Sequence, residues 1–374
     1  MIRFLHSSDL HLGKRFGNFE SDLPGRLREA RHGVIARLAD HARQQGVETI
    51  LLAGDTFDTE TPAADVRRQA LSEMARHASV RWVILPGNHD SLQASQLWTT
   101  LASESPPNVT LATEARAIDI APDAVLLPAP CTTRRPGRDL TDWMNDAPTA
   151  EGTVRIGLAH GPIQSFSEET GASDIIAPDR ARRAGLDYLA LGDWHGSLQV
   201  DARTRYSGSP EPDRFKHDRP GEALLVEIAG PTALPEATAL ATASFAWRTH
   251  GLHLLRGDDP IAALAALLPS PVGRRQALSR VVVTGAASLA DRAALTAAVT
   301  EAAPDFAYLQ LMTEDLETEH DVEDLDQIDR AGALREAANA LLVQTGDADL
   351  SSADREIAGA ALARLYSYSQ TVAA

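Results

Sequence analysis

Five short stretches of the 374-residue chain end an apolar run on residues that can hold a metal or move a proton. They are "SSDLHLG" (Asp9, His11), "LLAGDTFD" (Asp55), "LPGNHD" (Asn88, His89, Asp90), "LAHG" (His160) and "LGDWHG" (Asp193, His195). Taken singly, each is weak. A Gly-Asp after a strand is most often a turn, and an Asx-turn accounts for "GNHD". A lone His after a strand is more often packed or hydrogen-bonded than a ligand. Five such ends in succession, each carrying Asp, Asn or His, outrun that explanation. Carboxylate, amide and imidazole donors with no thiolate suit Mn²⁺, and Mg²⁺, Fe²⁺ or Zn²⁺ after it. The donors are too many for one ion, whereas two ions about 3.5–4 Å apart and bridged by a carboxylate use them all. Such a pair orients a water, lowers its pKa and clamps both oxygens of an in-line displacement at phosphorus.

Side chains so far apart in the chain meet only if the strands that carry them end together. Apolar runs alternate with amphipathic patterns over the first two-thirds of the sequence. "MIRFLHSSD", "VETILLAGD", "VRWVILPGNHD", "AVLLPAPC", "VRIGLAHG" and "LDYLALGDWHG" read as strands. "LREARHGVIARLADHARQQG" and "AADVRRQALSEMARHA" read as helices, the first stopped by Gly46. This is a layered α/β arrangement with the polar residues at strand C-termini, so parallel strands finishing at one sheet edge would gather them. A Gly- and Pro-rich passage, "RYSGSPEPDRFKHDRPGE", leads to one more strand, "ALLVEIAG".

From about residue 245 the texture changes to strand, helix, strand, helix, strand, a small α+β unit ending near 313. Residues 314–329 contain nine acids and no Lys or Arg, which reads as a solvated tether. Two helical patterns close the chain, with Leu334, Ala338, Leu341 and Leu342 on one and Ile357, Ala361, Leu362 and Leu365 on the other. These stripes either pack on their own domain or face a partner. The expected organisation is 1–230, 245–313, 314–329 and 330–374.

A net charge of −17 argues against a freely acting, strongly basic nucleic-acid binder. The charge is uneven: residues 1–100 hold 12 basic and 12 acidic residues, and the excess acid lies downstream. One cysteine, Cys131, excludes an internal disulfide and points to a reducing compartment. There is no apolar run of membrane-spanning length, and the first residues are too polar for a signal peptide. Cytoplasm is the expected location.

The order D-x-H, G-D, G-N-H-D, H, G-x-x-H resembles the calcineurin-like metallophosphoesterases. "SSDLHLGKRF", "LLAGDTFDTETP" and "LPGNHDS" resemble more narrowly the SbcD-type DNA repair exonucleases, relatives of the meiotic-recombination double-strand-break nuclease. The resemblance implies a β-sandwich flanked by helices, with a small capping domain at 245–313 and C-terminal helices beyond. By position it implies that Asp9, His11 and His195 hold one metal, that Asn88, His160 and Asp193 hold the other, and that Asp55 bridges them. His89 would protonate the leaving oxygen, and Asp90 would orient that imidazole. Asp193 departs from the family, which has His there. It either replaces the imidazole as a ligand, favouring harder ions, or falls short of the metal.

Arg15, Phe16, Arg134 and Arg135 could line a DNA groove, since Arg pairs with phosphates and aromatics stack on bases. Trp194, between two ligands, reads as packing. The resemblance further implies a homodimer working on DNA with an SMC-like ATPase onto which the C-terminal helices dock; the lack of a long apolar run implies no membrane. A small-nucleotide phosphodiesterase of the same fold and a non-catalytic scaffold with a decayed second metal site are the alternatives.

Overall fold

Strands whose two faces are both covered read as near-continuous apolar runs, and the first strands of this chain fold accordingly. A computed structural model describes residues 1–163, 176–216, 219–319, 328 and 332–373, which divide into two compact units, Met1–Ala246 and Trp247–Ala374.

In the first unit, β1 (Ile2–Ser7), β2 (Thr49–Leu52), β3 (Arg81–Ile84) and β4 (Val109–Leu111) run parallel. The antiparallel β11 (Glu222–Ile228) and β12 (Glu236–Ala241) extend that sheet, giving the order β12-β11-β1-β2-β3-β4. The second sheet contains β5 (Ile118–Ala121), β6 (Ala124–Ala129), β7 (Val154–His160), β8 (Tyr188–Gly192), β9 (Leu198–Gln199) and β10 (Thr204–Tyr206), in the order β5-β6-β7-β8-β10-β9. Phe4, Leu51 and Val83 of one sheet pack on Leu126, Ile156 and Tyr188 of the other.

Helices α1 (Leu23–Gln45), α2 (Ala64–Arg76) and α3 (Ser95–Glu104) cover the outer face of the first sheet, burying Ile35, Leu38, Met74 and Trp98 with Trp82. Gly46 ends α1 in the left-handed conformation, φ 64°, as its place after the periodic run predicts. On the far side of the second sheet Ala181, on the short α4 (Arg180–Arg183), joins Met144, Leu189 and Tyr206 in a third core, and Trp194 packs against it. The result is the mixed α/β sandwich flanked by helices that the resemblance implied.

Two expectations are corrected here. The unit runs to Ala246 rather than 230. The extra strand, β12, is an edge strand with an "EATALA" sequence that buries little, so it leaves a faint apolar signal. The ligand-bearing strands also lie in two sheets rather than along the edge of one.

In the second unit β13 (Ala246–Leu254), β14 (Ala277–Ser288), β15 (Tyr308–Met312) and β16 (Leu316–Glu319) form one sheet. Helix α5 (Pro260–Leu267), the short α6 (Pro271–Arg274) and α7 (Leu289–Ala302) intervene, and Leu252, Leu264, Val281, Val283, Leu295 and Val299 make the core. Strand β16 corrects the reading of 314–329 as a tether. Its backbone pairs in parallel with Gly285–Ser288, and Leu316 is buried, so acidic content there marks an exposed edge instead of a linker. Residues 320–327 and 329 lie outside the described residues.

The C-terminal helices, Ala333–Thr345 and Ser352–Ala373, bury Ala338 and Leu362 with Leu289 of α7. Their apolar stripes are therefore spent largely inside their own unit, although Leu334 and Ile357 remain exposed. Among the described residues, no helix is long and apolar enough to cross a membrane.

Candidate metal centre

Register brings the strand ends level. Ser7 lies opposite Leu52, Leu52 opposite Ile84, and in the other sheet His160 opposite Gly192. Turning the next side chains inward requires a backbone that L-residues disfavour. Asp9 (φ 54°), His11 (44°), Asp55 (52°) and Asp193 (102°) are four of the seven non-glycine residues with positive φ among the described residues. Each such residue costs about 1–2 kcal/mol and persists because its surroundings enforce it. The enforcement here is a run of backbone bonds between two strand ends: Asp9 N to Gly54 O (3.1 Å), His11 N to Asp55 O (2.9 Å) and Leu12 N to Thr56 O (2.9 Å). Two glycines make room. A Cβ on Gly54 would sit 2.3 Å from His160 Nδ1, and one on Gly87 would sit 2.2 Å from Asp55 Oδ1.

The structure brings all seven expected ligands together. His11 Nε2 lies 3.2 Å from His195 Nε2 and 3.7 Å from Asp55 Oδ2. Each of those two Nε2 atoms is 3.9 Å from Asp9 Oδ1. His160 Nε2 is 3.5 Å from Asp55 Oδ2 and 3.7 Å from Asp193 Oδ1, and Asn88 Nδ2 donates to Asp193 Oδ1 at 3.0 Å. Asp55 Oδ2 is thus a neighbour of both histidine groups, the position a bridging carboxylate needs.

These residues fit two divalent ions. His160 Nδ1 bonds the Ala53 carbonyl at 2.8 Å, and a carbonyl only accepts, so Nδ1 carries a proton and Nε2 is the nitrogen left to give a lone pair to an ion that displaces its proton. That Nε2 and Asn88 Oδ1 are buried and hydrogen-bond to nothing among the described residues, as unoccupied donor atoms of a ligand set would. Asp9 and Asp55 are buried carboxylates a few ångströms from Asp193, an anionic cluster that burial penalises unless cations offset it.

Titration reflects the same crowding. Burial, with Asp90 and Asp9 close by, holds the Asp55 carboxyl well above its usual range, and burial also raises Asp193. Burial alone would lower His160, but the Asp55, Asp9 and Asp193 carboxylates raise it to about 9. Burial pushes His11 down to about 4.

His89 sits at the edge of this group. Its N–H donates to Asp55 Oδ1 (2.9 Å), its ring stands edge-on to His11 with centroids 4.9 Å apart, and its Nδ1 bonds the Asp58 carbonyl at 2.9 Å. Asp90 does not orient that imidazole, which corrects the expectation. Its carboxylate is consumed by the backbone N–H groups of Gly87 (2.7 Å) and Phe57 (3.0 Å), bracing the loop instead.

Phe16 is also corrected: it is buried under the Arg31 guanidinium, 5.7 Å from its ring centroid, and cannot stack on a base. Arg15, Arg134 and Arg135 are exposed.

Two residues escaped the sequence reading. Asp58 Oδ1 lies 3.3 Å from His11 Nδ1, and Asp213 Oδ1 lies 3.4 Å from His195 Nδ1. Asp213 also pairs with Lys14 (2.7 Å) and Arg214 (2.8 Å). Burial would raise its carboxyl, but His195, Arg31 and Arg214 hold it far below the usual range. No spacing rule signals either residue.

Residues 2–221 match the family described as calcineurin-like phosphoesterases. The chain belongs to that family. This phosphoesterase is 27% identical over 251 residues to the uncharacterized metallophosphoesterase YhaO of Bacillus subtilis, covering 61% of this chain and 57% of that one. It is 32% identical over 266 residues to the SbcD component of the nuclease SbcCD of Escherichia coli, covering 61% and 64%. Over 93 residues, 24% of this chain and 23% of the other, it is 30% identical to the DNA double-strand break repair protein Mre11 of Saccharolobus solfataricus. It therefore spans less than two-thirds of the length of the first two relatives. Family membership over residues 2–221 and the geometry of this cluster together support metal-dependent phosphoester chemistry here.

Proposed function

We propose that this phosphoesterase cleaves phosphodiester bonds in DNA as an exonuclease, and also as an endonuclease. It would use two Mn²⁺ ions and act as a homodimer with an SMC-like ATPase in cytoplasmic DNA-end processing. The observation that carries the reading is His89, whose backbone is tied to the central carboxylate Asp55 and whose Nδ1 is fixed by the Asp58 carbonyl. The likeness to the SbcD component of the nuclease SbcCD and to Mre11 supports DNA as substrate.

Asp9, His11 and His195 would hold one ion, Asn88, His160 and Asp193 the other, with Asp55 shared. When bound, the pair supplies an activated water and neutralises charge building on phosphorus. His89 Nδ1–H would donate to the Asp58 carbonyl, so its charged form has the Nε2 proton to give to the leaving oxygen. Asp193 Oδ1, 3.7 Å from His160 Nε2, supports its reading as a ligand over the alternative that it falls short. The ATPase would also supply the basic surface that a chain of net charge −17 does not.

The same charge favours a second reading, a phosphodiesterase for a small nucleotide. End-labelled single- and double-stranded DNA and bis-(p-nitrophenyl) phosphate, each with Mn²⁺, separate the two. DNA cleavage abolished by His89→Ala is the expected result, and turnover of the small ester alone, with the ATPase present, would favour the second.

A further inference from the structure

Each half of the centre is built from different material. His11 and His195, on one side, each have a carboxylate close to Nδ1, Asp58 at 3.3 Å and Asp213 at 3.4 Å, as charge contacts rather than aligned hydrogen bonds. His160, on the other side, is hydrogen-bonded at Nδ1 to the neutral Ala53 carbonyl. The negative charge of a carboxylate beside an imidazole raises its basicity as a ligand more than a neutral carbonyl does. The donor sets differ as well: two imidazoles on one side face one imidazole and one amide on the other, and imidazole is the stronger donor to transition ions. Exposure is mixed on both sides: side chains of Asp9 and His11 are at 1% and His195 at 13%, while His160 is at 0% and Asp193 at 27%.

The geometry points to Asp58 and Asp213 as positioning residues that make the Asp9–His11–His195 position the tighter of two unequal ion sites. The Asn88–His160–Asp193 position is then the exchangeable one. This rests on the two-ion reading above. Asp213 is itself locked in place. Lys14 and Arg214 grip its two oxygens, and the buried Arg31, which donates to Leu10 O at 2.5 Å and Glu211 O at 2.7 Å, stands behind it at 4.0 Å. The segment after β1, the start of α1 and the loop after β10 are thereby tied to one imidazole. Asp58 is the simpler partner, 3.9 Å from Lys14 and partly exposed.

The test is calorimetric titration of the full metal-stripped chain with Mn²⁺ alone. Wild type should bind in two steps of different affinity, and His160→Gln should remove the weaker step and spare the tighter. Asp58→Asn and Asp213→Asn should each weaken the tighter step by about 10–100-fold and leave the weaker one in place. Asp58→Glu should restore part of the loss. Metal-free melting of Asp58→Asn should match wild type, which separates positioning from simple support of the fold. Should Asp213→Asn fail to fold without its buried charge, Asp58→Asn decides alone. Two equal steps in wild type, or a tighter step untouched by Asp58→Asn, would overturn the inference while leaving the two-ion centre intact. No Mn²⁺ binding at all would overturn the two-ion reading itself.

Discussion

Gly87 offers the sharpest mechanical test of how the centre is held. A methyl group placed on it would lie 2.2 Å from Asp55 Oδ1 and 2.3 Å from the Asp55 backbone nitrogen. Ordinary contact needs about 3.5 Å, so Gly87→Ala must push the two segments apart by about 1 Å. The backbone atom cannot swing aside as a side chain tip would. Overpacking of this kind costs about 1–3 kcal/mol of stability. In a unit of this size that lowers the melting temperature by about 2–4 °C for each kcal/mol. The functional effect is larger, because the displaced carboxylate is the one placed to bridge both ions and to fix the His89 backbone. A misplacement near 1 Å at reacting groups costs about 100-fold in rate.

The assay is initial-rate hydrolysis of bis-(p-nitrophenyl) phosphate with Mn²⁺, alongside circular-dichroism melting. Gly25, within α1, is the matched control, since a Cβ there meets nothing within 4 Å and alanine favours helix. Gly87→Ala with wild-type rate and wild-type Mn²⁺ affinity would refute the reasoning that close approach, and not turn geometry alone, dictates this glycine.

Other outcomes follow from named contacts. Asp90→Ala removes the acceptor of two buried backbone donors, each worth about 1–3 kcal/mol. Denaturant unfolding should register that loss, and an unchanged midpoint would count against the bracing role. Phe16→Ala should cost about 3–5 kcal/mol of stability by emptying a buried site. Under conditions where it stays folded, DNA affinity should stay at the wild-type value, and selective loss of DNA binding would restore the stacking role. In chelator-treated protein His160 titrates near 9 against 6.5 for an unperturbed imidazole. A raised folded pKa stabilises fully below 6.5 and is lost as pH rises towards 9, so metal-free melting should fall across that window. His160→Gln should flatten the fall, and a wild-type curve already flat there would contradict the surrounding carboxylates as its cause.

The clustering of the seven candidate ligands was legible because chemistry and position coincide: each follows an apolar run, and residue type alone limits what it can bind. His89 was legible for the same reason. Asp58 and Asp213 were not, since their value lies in facing the far nitrogen of a histidine 47 and 18 positions away in the chain. Asp90 was misread because its sequence neighbour, His89, looked like its partner, whereas turning the loop pointed the carboxylate back to Gly87 and Phe57 N–H groups. Phe16 looked like a stacking ring, but its left-handed backbone, φ 55°, folds it under Arg31. Strand β16 was hidden by its acids, because an edge strand needs only one buried residue, Leu316, to dock.

The central claim is that seven side chains from two sheets hold a pair of divalent ions across Asp55. Equilibrium dialysis against Mn²⁺ with metal analysis of the full chain tests it most directly, with Asp55→Ala beside wild type. The account predicts two ions per chain in wild type and one or none in the variant. A single ion in wild type, or two retained without Asp55, would contradict it.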